Sequence, residues 1–316
     1  MYSTTGIDPS NFVSTFDTAF YFIIGISLIF LIGLTFLMLY FVFKYNRIKN
    51  KTATQIEGNT RLEIVWTVIP TILALVMFYF GWAGWTPMNK PPKDALKITS
   101  TARMWSFNFQ YENGKQSPDL IVPVGKAVEL KLVSLDVIHS VFIPAFRIKS
   151  DMVPGREKTM WFLPQREGEY DLYCAEYCGL RHSYMNSAVK VLSKDDYEKW
   201  YADSTSVTKS DDKSSPGAAG LEILINQGCT ACHSSDGSKI VGPSFFQLYG
   251  EKQTVTKDKK DIVITADDEY IKRSIYEPDS EIVKGYPANL MQSYKETLND
   301  EDVKKIIDYL KTLNAK

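Results

Sequence analysis

The chain has 316 residues, a formal net charge of −1, and 45% hydrophobic and 13% aromatic residues. That length leaves room for two or three domains, and the near-neutral balance excludes a strongly basic nucleic-acid binder. The apolar residues are unevenly spread, and this unevenness divides the chain.

Residues 18–43 carry no charge, and neither do residues 64–89. Each run exceeds the roughly 20 residues that cross about 30 Å of hydrocarbon as a helix. Uncharged core helices of this length would be rare in a soluble protein, so the two runs predict transmembrane helices at about 18–43 and 64–88. Pro70 is expected in the first turns of the second, where a missing N–H is least harmful. Trp82 and Trp85 fall where an interfacial aromatic belt would lie. The intervening loop holds Lys44, Arg47, Lys49, Lys51 and Arg61 against the single acid Glu57, whereas residues 1–16 contain no lysine or arginine. A positive-inside bias therefore places this loop in the cytoplasm and both termini outside. The lack of a basic n-region argues against a cleaved signal peptide in the chain as given.

From residue 95 to about 191 the pattern becomes short alternating runs, among them LKITSTARMWSFNFQY, AVELKLVS, HSVFIPAF, KTMWFLP, EYDLYC and SAVKVL. Turn signals at Asn113-Gly114, Val124-Gly125, Pro154-Gly155 and Glu167-Gly168 separate them, which predicts a β-sandwich or small barrel. Within it stands CAEYCGLRHSYM, which sets Cys174, Cys178, His182 and Met185 within twelve residues. A disulfide is the plain reading of two near cysteines in an exported segment, but the flanking residues fit metal chemistry better. Thiolate, imidazole and thioether together select copper or a related soft ion, whereas methionine is a poor zinc ligand. His139, in DVIHSVFIP, is the only other histidine of this region. A mononuclear blue-copper site uses one cysteine. The second cysteine here allows two thiolates to bridge two coppers, an arrangement suited to electron transfer.

The segment KDDYEKWY predicts a short helix closing this domain. Residues 202–219, rich in serine, threonine, aspartate and lysine, then read as a flexible tether. Beyond it lies GCTACHSS. C-x-x-C-H is the attachment signature for c-type haem, with Cys229 and Cys232 forming thioethers and His233 ligating iron. A thioredoxin-like reading would need a βαβ context that the pattern does not offer. Met291 is the only methionine after Gly220, and a thioether sixth ligand raises the potential. Lys284 and Lys295 are rival ligands nearby. The stripe Val303, Ile306, Ile307 and Leu310 predicts a terminal helix capped by Asn299 or Asp300.

Taken together, CAEYCGLRHSYM with DVIHS upstream resembles the binuclear copper (CuA) site of cytochrome c oxidase subunit II. The resemblance covers residues 17–191, and its C-x-E-x-C-G-x-x-H-x-x-M signature is long and specific. It implies a cupredoxin-like β-sandwich in which His139 and His182 are terminal copper ligands and Cys174 and Cys178 bridge. Met185 and the Glu176 carbonyl would be weak ligands. The Glu176 carboxylate would be free for magnesium at the junction with subunit I. RMWSFNFQYENG resembles the family's electron-receiving segment, which carries over to Trp105 alone because Phe107 replaces a usual tryptophan; an ordinary core aromatic is the rival reading. RIKSDMVPGR, with Asp151 and Arg156, resembles the segment facing subunit I. Glu63 in RLEIVWTVIP matches an acid at the entrance of a proton pathway, although an acid at a helix N-terminus also suits the dipole. From Gly220 on, VGPSF with Pro243 and GYPANLMQSY with Met291 resemble an all-α class I cytochrome c.

The resemblances imply a caa-type fusion with four parts: residues 1–90 with the two helices, a copper domain at 91–201, the tether at 202–219, and a cytochrome c domain at 220–316. The implied function is electron input to a haem-copper oxidase that reduces oxygen to water and pumps protons, with no oxygen-reducing site on this chain. Implied partners are subunit I, subunit III, lipid, and an external donor such as a cytochrome c or a quinol-oxidising complex, with no nucleic acid. The implied location is the bacterial cell membrane. Two alternatives stay open on the sequence: electron input to a CuA-type nitric oxide reductase, and a membrane-tethered electron shuttle.

Overall fold

The computed structural model describes residues 8–52, 55, 57–203 and 217–314. Most of the expected tether, residues 204–216, lies outside the described residues. Helices α1 (Val13–Lys44) and α2 (Thr60–Met88) are both long and apolar enough to cross a membrane. Each begins before its uncharged run. α1 extends through Asp17 because that carboxylate is paired with Arg147 at 2.8 Å. α2 begins at Thr60 because the Asn59 side chain accepts the Leu62 N–H at 3.1 Å, an N-cap. Pro70 therefore sits inside α2, not in its first turns. There its ring removes the donor that the Trp66 carbonyl would otherwise receive.

The N-terminal end of α1 and the C-terminal end of α2 are seated on the middle domain. Phe12 packs edge-on against Trp161 with centroids 5.0 Å apart, and Trp161 Nε1 donates to the Pro87 carbonyl at 3.0 Å. The middle domain is a sandwich of two five-stranded sheets. Its strands are β1 (Leu96–Arg103), β2 (Ser106–Tyr111), β3 (Gln116–Ser117), β4 (Leu120–Pro123) and β5 (Val128–Ser134). They continue with β6 (His139–Ile143), β7 (Ile148–Met152), β8 (Lys158–Phe162), β9 (Gly168–Cys174) and β10 (Asn186–Leu192). One sheet runs β3-β2-β1-β5-β8 and the other β4-β10-β9-β6-β7. Alternation drives the layering: in β5 Val128, Leu130 and Leu132 are buried while Lys131 faces solvent. The facing layers meet around Phe109, Phe146 and Phe162, all fully buried. The short strand β3 and the edge strand β7, polar in sequence, are not legible as alternating runs. Helix α3 (Lys194–Ala202), capped by Ser193, closes the domain.

The C-terminal domain contains α4 (Ala218–Asn226), α5 (Asp268–Tyr276) and α6 (Asp300–Thr312). Asn299 caps α6 in a reciprocal box with Asp302, and Val303, Ile306, Ile307 and Leu310 are its buried stripe. α4 crosses α6 so closely that a Cβ on Gly220 would stand 2.0 Å from the Lys305 carbonyl oxygen. Only glycine fits there. To these helices the fold adds a three-stranded sheet that the lysine-rich sequence does not reveal. Its strands are β11 (Lys252–Lys257), β12 (Lys260–Thr265) and β13 (Ile282–Val283), ordered β12-β11-β13. Asp258 and Lys259 turn the hairpin with φ of 50° and 63°, the positive values that a two-residue type I′ turn demands.

Candidate functional site

Two sites lie in the two extramembrane domains. In the sandwich, β6 and β9 are paired so that Val141 stands opposite Cys174. This pairing brings His139, at the start of β6, to the cysteine that ends β9. The β9–β10 loop then supplies Cys178, His182 and Met185. The ligand atoms of His139, Cys174 and Cys178 all lie within 4.8 Å of one another. Cys174 Sγ is 3.8 Å from Cys178 Sγ and 3.8 Å from His139 Nδ1. Cys178 Sγ is 3.5 Å from His182 Nδ1 and 3.8 Å from Met185 Sδ. The Glu176 carbonyl stands 3.3 Å from Cys174 Sγ. Both cysteines are buried and unbridged.

Burial raises both thiols, but the two then diverge. Hydrogen bonding from His139 and nearby backbone outweighs burial at Cys174 and lowers it to about 6. At Cys178, burial and then the charge of the Cys174 thiolate push the thiol up to about 12. The pair thus gives up one proton readily and holds the second. A bound cation reverses that second step, since its charge deprotonates a coordinating thiol.

Asp136 lies behind the histidine. Its carboxylate meets His139 Nε2 at 2.8 Å and accepts the Met104 and Val137 N–H groups at 2.6 and 2.7 Å. A bond on Nε2 turns Nδ1 toward the sulfurs, as outer partners of metal-binding histidines do. Sequence reading missed Asp136; its only signal was its position three residues before His139. Trp105 is buried, with Nε1 donating to the Cys178 carbonyl at 3.0 Å. Glu63 lies apart in the first turn of α2. The Glu176 carboxylate is held by Lys149 at 2.6 Å, and the same ammonium reaches Asp151 at 3.0 Å.

The second site is a cavity of about 640 Å³ in the C-terminal domain. Cys229, Cys232, His233, Pro243 and Met291 all line it. His233 Nδ1 is 2.7 Å from the Pro243 carbonyl, so Nδ1 carries the proton and Nε2 keeps its lone pair. The ring stacks on Phe245 at 4.8 Å, and burial lowers its pKa, which favours the neutral, ligating imidazole. Gly242 passes so close that a Cβ there would lie 2.5 Å from His233 Cε1. That requirement was hidden in VGPSF and appears only in three dimensions. Two thiols, one oriented imidazole and a thioether around a mostly apolar hollow fit a covalently held haem. Lys284 and Lys295, the rival ligands, are not among the lining residues. Met104 and Asp136, from the sandwich domain, are.

Three stretches of the chain match known protein families. Residues 9–81 match the sequence model of the cytochrome c oxidase subunit II transmembrane domain, residues 108–192 that of its periplasmic domain, and residues 217–314 that of cytochrome c. Cytochrome c oxidase subunit 2 of Bacillus subtilis is 30% identical over 297 residues, covering 86% of this chain and 80% of that one. The corresponding protein of Alkalihalophilus pseudofirmus is 29% identical over 269 residues, covering 83% and 75%. Among solved structures, the periplasmic domain of subunit II of cytochrome oxidase from Bradyrhizobium japonicum is 29% identical. It covers 35% of this chain and 94% of that one, with a TM-score of 0.34.

Proposed function

Since the chain belongs to the cytochrome c oxidase subunit 2 family, we propose that its two sites work as a pair, a CuA centre in the sandwich and a haem c in the C-terminal domain. The chain is the electron-input subunit of a haem-copper oxidase, an oxidoreductase complex in the membrane, and it associates with subunit I. The matching transmembrane and cytochrome c domains do not favour the nitric oxide reductase or free-shuttle alternatives. When bound, haem and copper supply one-electron carriers.

The geometry supports a role for each residue. Cys174 and Cys178 would be the thiolate ligands shared by two coppers, His139 and His182 the imidazole ligands, and Met185 and the Glu176 carbonyl weak ligands. The observation that carries this reading is the convergence of two thiols, two imidazoles and a thioether, with each imidazole nearest a different sulfur. Cys229 and Cys232 would bond a haem covalently, and His233 and Met291 would be its two iron ligands. Trp105 receives electrons for the copper centre, its indole tied to the Cys178 carbonyl.

Further assignments rest on composition and placement. The domains divide at about residues 90, 201 and 220. Both termini lie outside the bacterial cell membrane, and Glu63 opens a proton pathway. A hard divalent cation such as magnesium prefers carboxylate oxygen, so Glu176 would hold one at the subunit I junction after releasing Lys149. Asp151 and Arg156 face the same junction. Subunit III and an external cytochrome c or quinol-oxidising complex complete the partners.

The test is the copper signal of the purified chain. Two coppers sharing one unpaired electron should produce a seven-line electron paramagnetic resonance pattern, and Cys178→Ser should abolish the shared-valence signal. One copper with a four-line pattern would defeat the binuclear assignment. Co-purification with a haem-bearing membrane subunit tests the partner.

A further inference from the structure

Two arginines of the sandwich face the cysteine pair of the C-terminal domain, and neither forms an ion pair among the described residues. Arg103, at the end of β1, is only 7% exposed. Its Nη1 reaches the Gln227 carbonyl at 3.4 Å, and its guanidinium lies 5.2 Å from the centroid of the Tyr294 ring. A Cβ on Gly228 would stand 3.9 Å from Arg103 Cδ, so the side chain passes beside the residue that precedes Cys229. Arg181 stands in the β9–β10 loop, its guanidinium 5.1 Å from the centroid of the Tyr184 ring. Its Nη1 is buried and has no hydrogen-bond partner. Cys232 packs on the hydrophobic core of the sandwich. Burial pushes the Cys229 thiol up to about 12, and the charge of Arg103 works against it. Burial likewise raises the Cys232 thiol, and there the opposing charge is Arg181.

We propose that Arg103 and Arg181 raise the haem's affinity for its electron from across the junction, and that the two domains therefore hold together more tightly when the haem is reduced. The proposal rests on the reading of the cavity as a haem site with Cys229 and Cys232 as its attachment points. In the step concerned, ferric iron takes up one electron and becomes ferrous; no bond is made or broken. The ferric centre carries one more positive charge than the ferrous one. A nearby cation disfavours that extra charge, and does so more strongly in a poorly hydrated junction than in water. An unpaired, buried guanidinium is such a cation. Contact between the domains thus favours the ferrous state. Linkage makes the effect reciprocal, so the electron favours contact by the same factor.

Only the charges that the sandwich brings count toward this linkage. Glu277, Asp279 and Glu281 line the cavity from its own domain and stay with it whether or not the domains touch. The sandwich brings one acid to the cavity wall, Asp136. Its carboxylate is already engaged by His139 Nε2 and by the Met104 and Val137 N–H groups. Two unpaired cations against one hydrogen-bonded acid leave the balance positive. Neither arginine is a copper ligand or a lining residue of the cavity, so both act through their field and not by contact with a metal. The arrangement favours contact beside Trp105 while the haem has an electron to pass on, and relaxes that contact once the electron has gone.

The test uses the full, haem- and copper-loaded chain. Haem absorbance followed over a series of applied potentials gives the ferrous-to-ferric ratio. At the potential where that ratio is one in the unsubstituted chain, Arg103→Gln with Arg181→Gln should lower it several-fold. Arg103→Lys with Arg181→Lys keeps both charges and should hold the ratio near that of the unsubstituted chain, which a role in shape alone would not allow. Amide hydrogen exchange at 103–108 and 226–229 should be several-fold slower in the reduced chain than in the oxidised one. The glutamine pair should erase most of that difference. Copper changes its charge in both chains alike, so the contrast between them reports the arginines. Where the double change impairs folding, Arg181→Gln alone removes a charge whose Nη1 already lacks a partner, and should lower the ratio by a smaller factor. An unaltered ratio in a folded, loaded glutamine variant overturns the proposal, as does equal exchange in the two redox states of the unsubstituted chain. Lysine variants that behave like the glutamine ones overturn it too, by assigning the effect to shape. Failure of the unsubstituted chain to hold haem would instead remove the reading beneath the proposal, and absorbance reports that separately.

Discussion

The sandwich and the C-terminal domain both surround a site, but they relate to it differently. In the sandwich the site is an outgrowth of a completed core. His139 is wholly buried, Cys174, Cys178 and Met185 nearly so, and a fully buried aromatic layer lies beneath. In the C-terminal domain the site is a hollow let into one side of a core that also holds Val255, Ala266, Val303 and Ile306. Cys229, Cys232 and His233 remain partly accessible around a cavity of about 640 Å³. The first domain keeps its metal-ligating groups above a core that is complete without them, whereas the second lines a hollow large enough for a prosthetic group with part of its own core. A copper pair requires only a few ångströms between sulfurs, whereas a porphyrin is as large as a small hydrophobic core.

The largest effect that separates the two domains is loss of haem. A hollow of about 640 Å³ left to water forfeits the apolar contacts its lining would make with a bound haem, and the whole stability of a domain is only about 5–15 kcal/mol. Cys229→Ser with Cys232→Ser should therefore abolish cooperative melting of the C-terminal domain, while the metal-free sandwich still melts cooperatively. Domain-resolved hydrogen exchange measures both. A C-terminal domain that stays folded without haem would erase the contrast.

A smaller effect tests the sandwich core. Phe146 is fully buried between Phe162 and Tyr170, with centroids 5.1 and 5.0 Å away. Phe146→Ala should cost about 3–5 kcal/mol, read from the denaturation midpoint, and should leave the haem spectrum unchanged. A shift in that spectrum would show that the two domains are coupled through their cores.

The smallest effect is electrostatic. Glu281 is buried between Lys257 at 2.8 Å and Arg273 at 3.2 Å. Hydrogen bonding from Lys257, then from Arg273, holds its carboxyl below the usual carboxylate range. A depressed pKa stabilises the fold above the unfolded value of about 4.3 and loses that contribution as pH falls through the folded value. The C-terminal domain should therefore lose stability below about pH 4.3 more steeply than Glu281→Gln does. Both bases are half exposed, so the substitution should cost about 1–2 kcal/mol at pH 7. Thermal melts at pH 7 and pH 4 supply the measurement. Equal slopes would assign the acid sensitivity to other carboxylates.

What the sequence determined alone is what lies close along the chain. Two uncharged runs mark the membrane helices because crossing a bilayer needs length and apolarity, both local properties. C-x-E-x-C-G-x-x-H-x-x-M and C-x-x-C-H announce their chemistry because each packs its main groups into one loop or turn. Alternation revealed the longer strands, and the stripe and cap of α6 revealed its helix. Only the tertiary structure joined His139 to Cys174 through the β6–β9 pairing, and placed Asp136 behind the histidine with a second bond to Met104. It also required Gly242 beneath the His233 ring, moved Pro70 into the interior of α2 and brought Met104 and Asp136 to the wall of a cavity in another domain. These depend on steric fit and hydrogen-bond pairing between separate segments, as with Asn108 and the Asn226 carbonyl, 118 residues apart. No periodicity or spacing encodes such a contact, because it exists only after each segment has folded and packed.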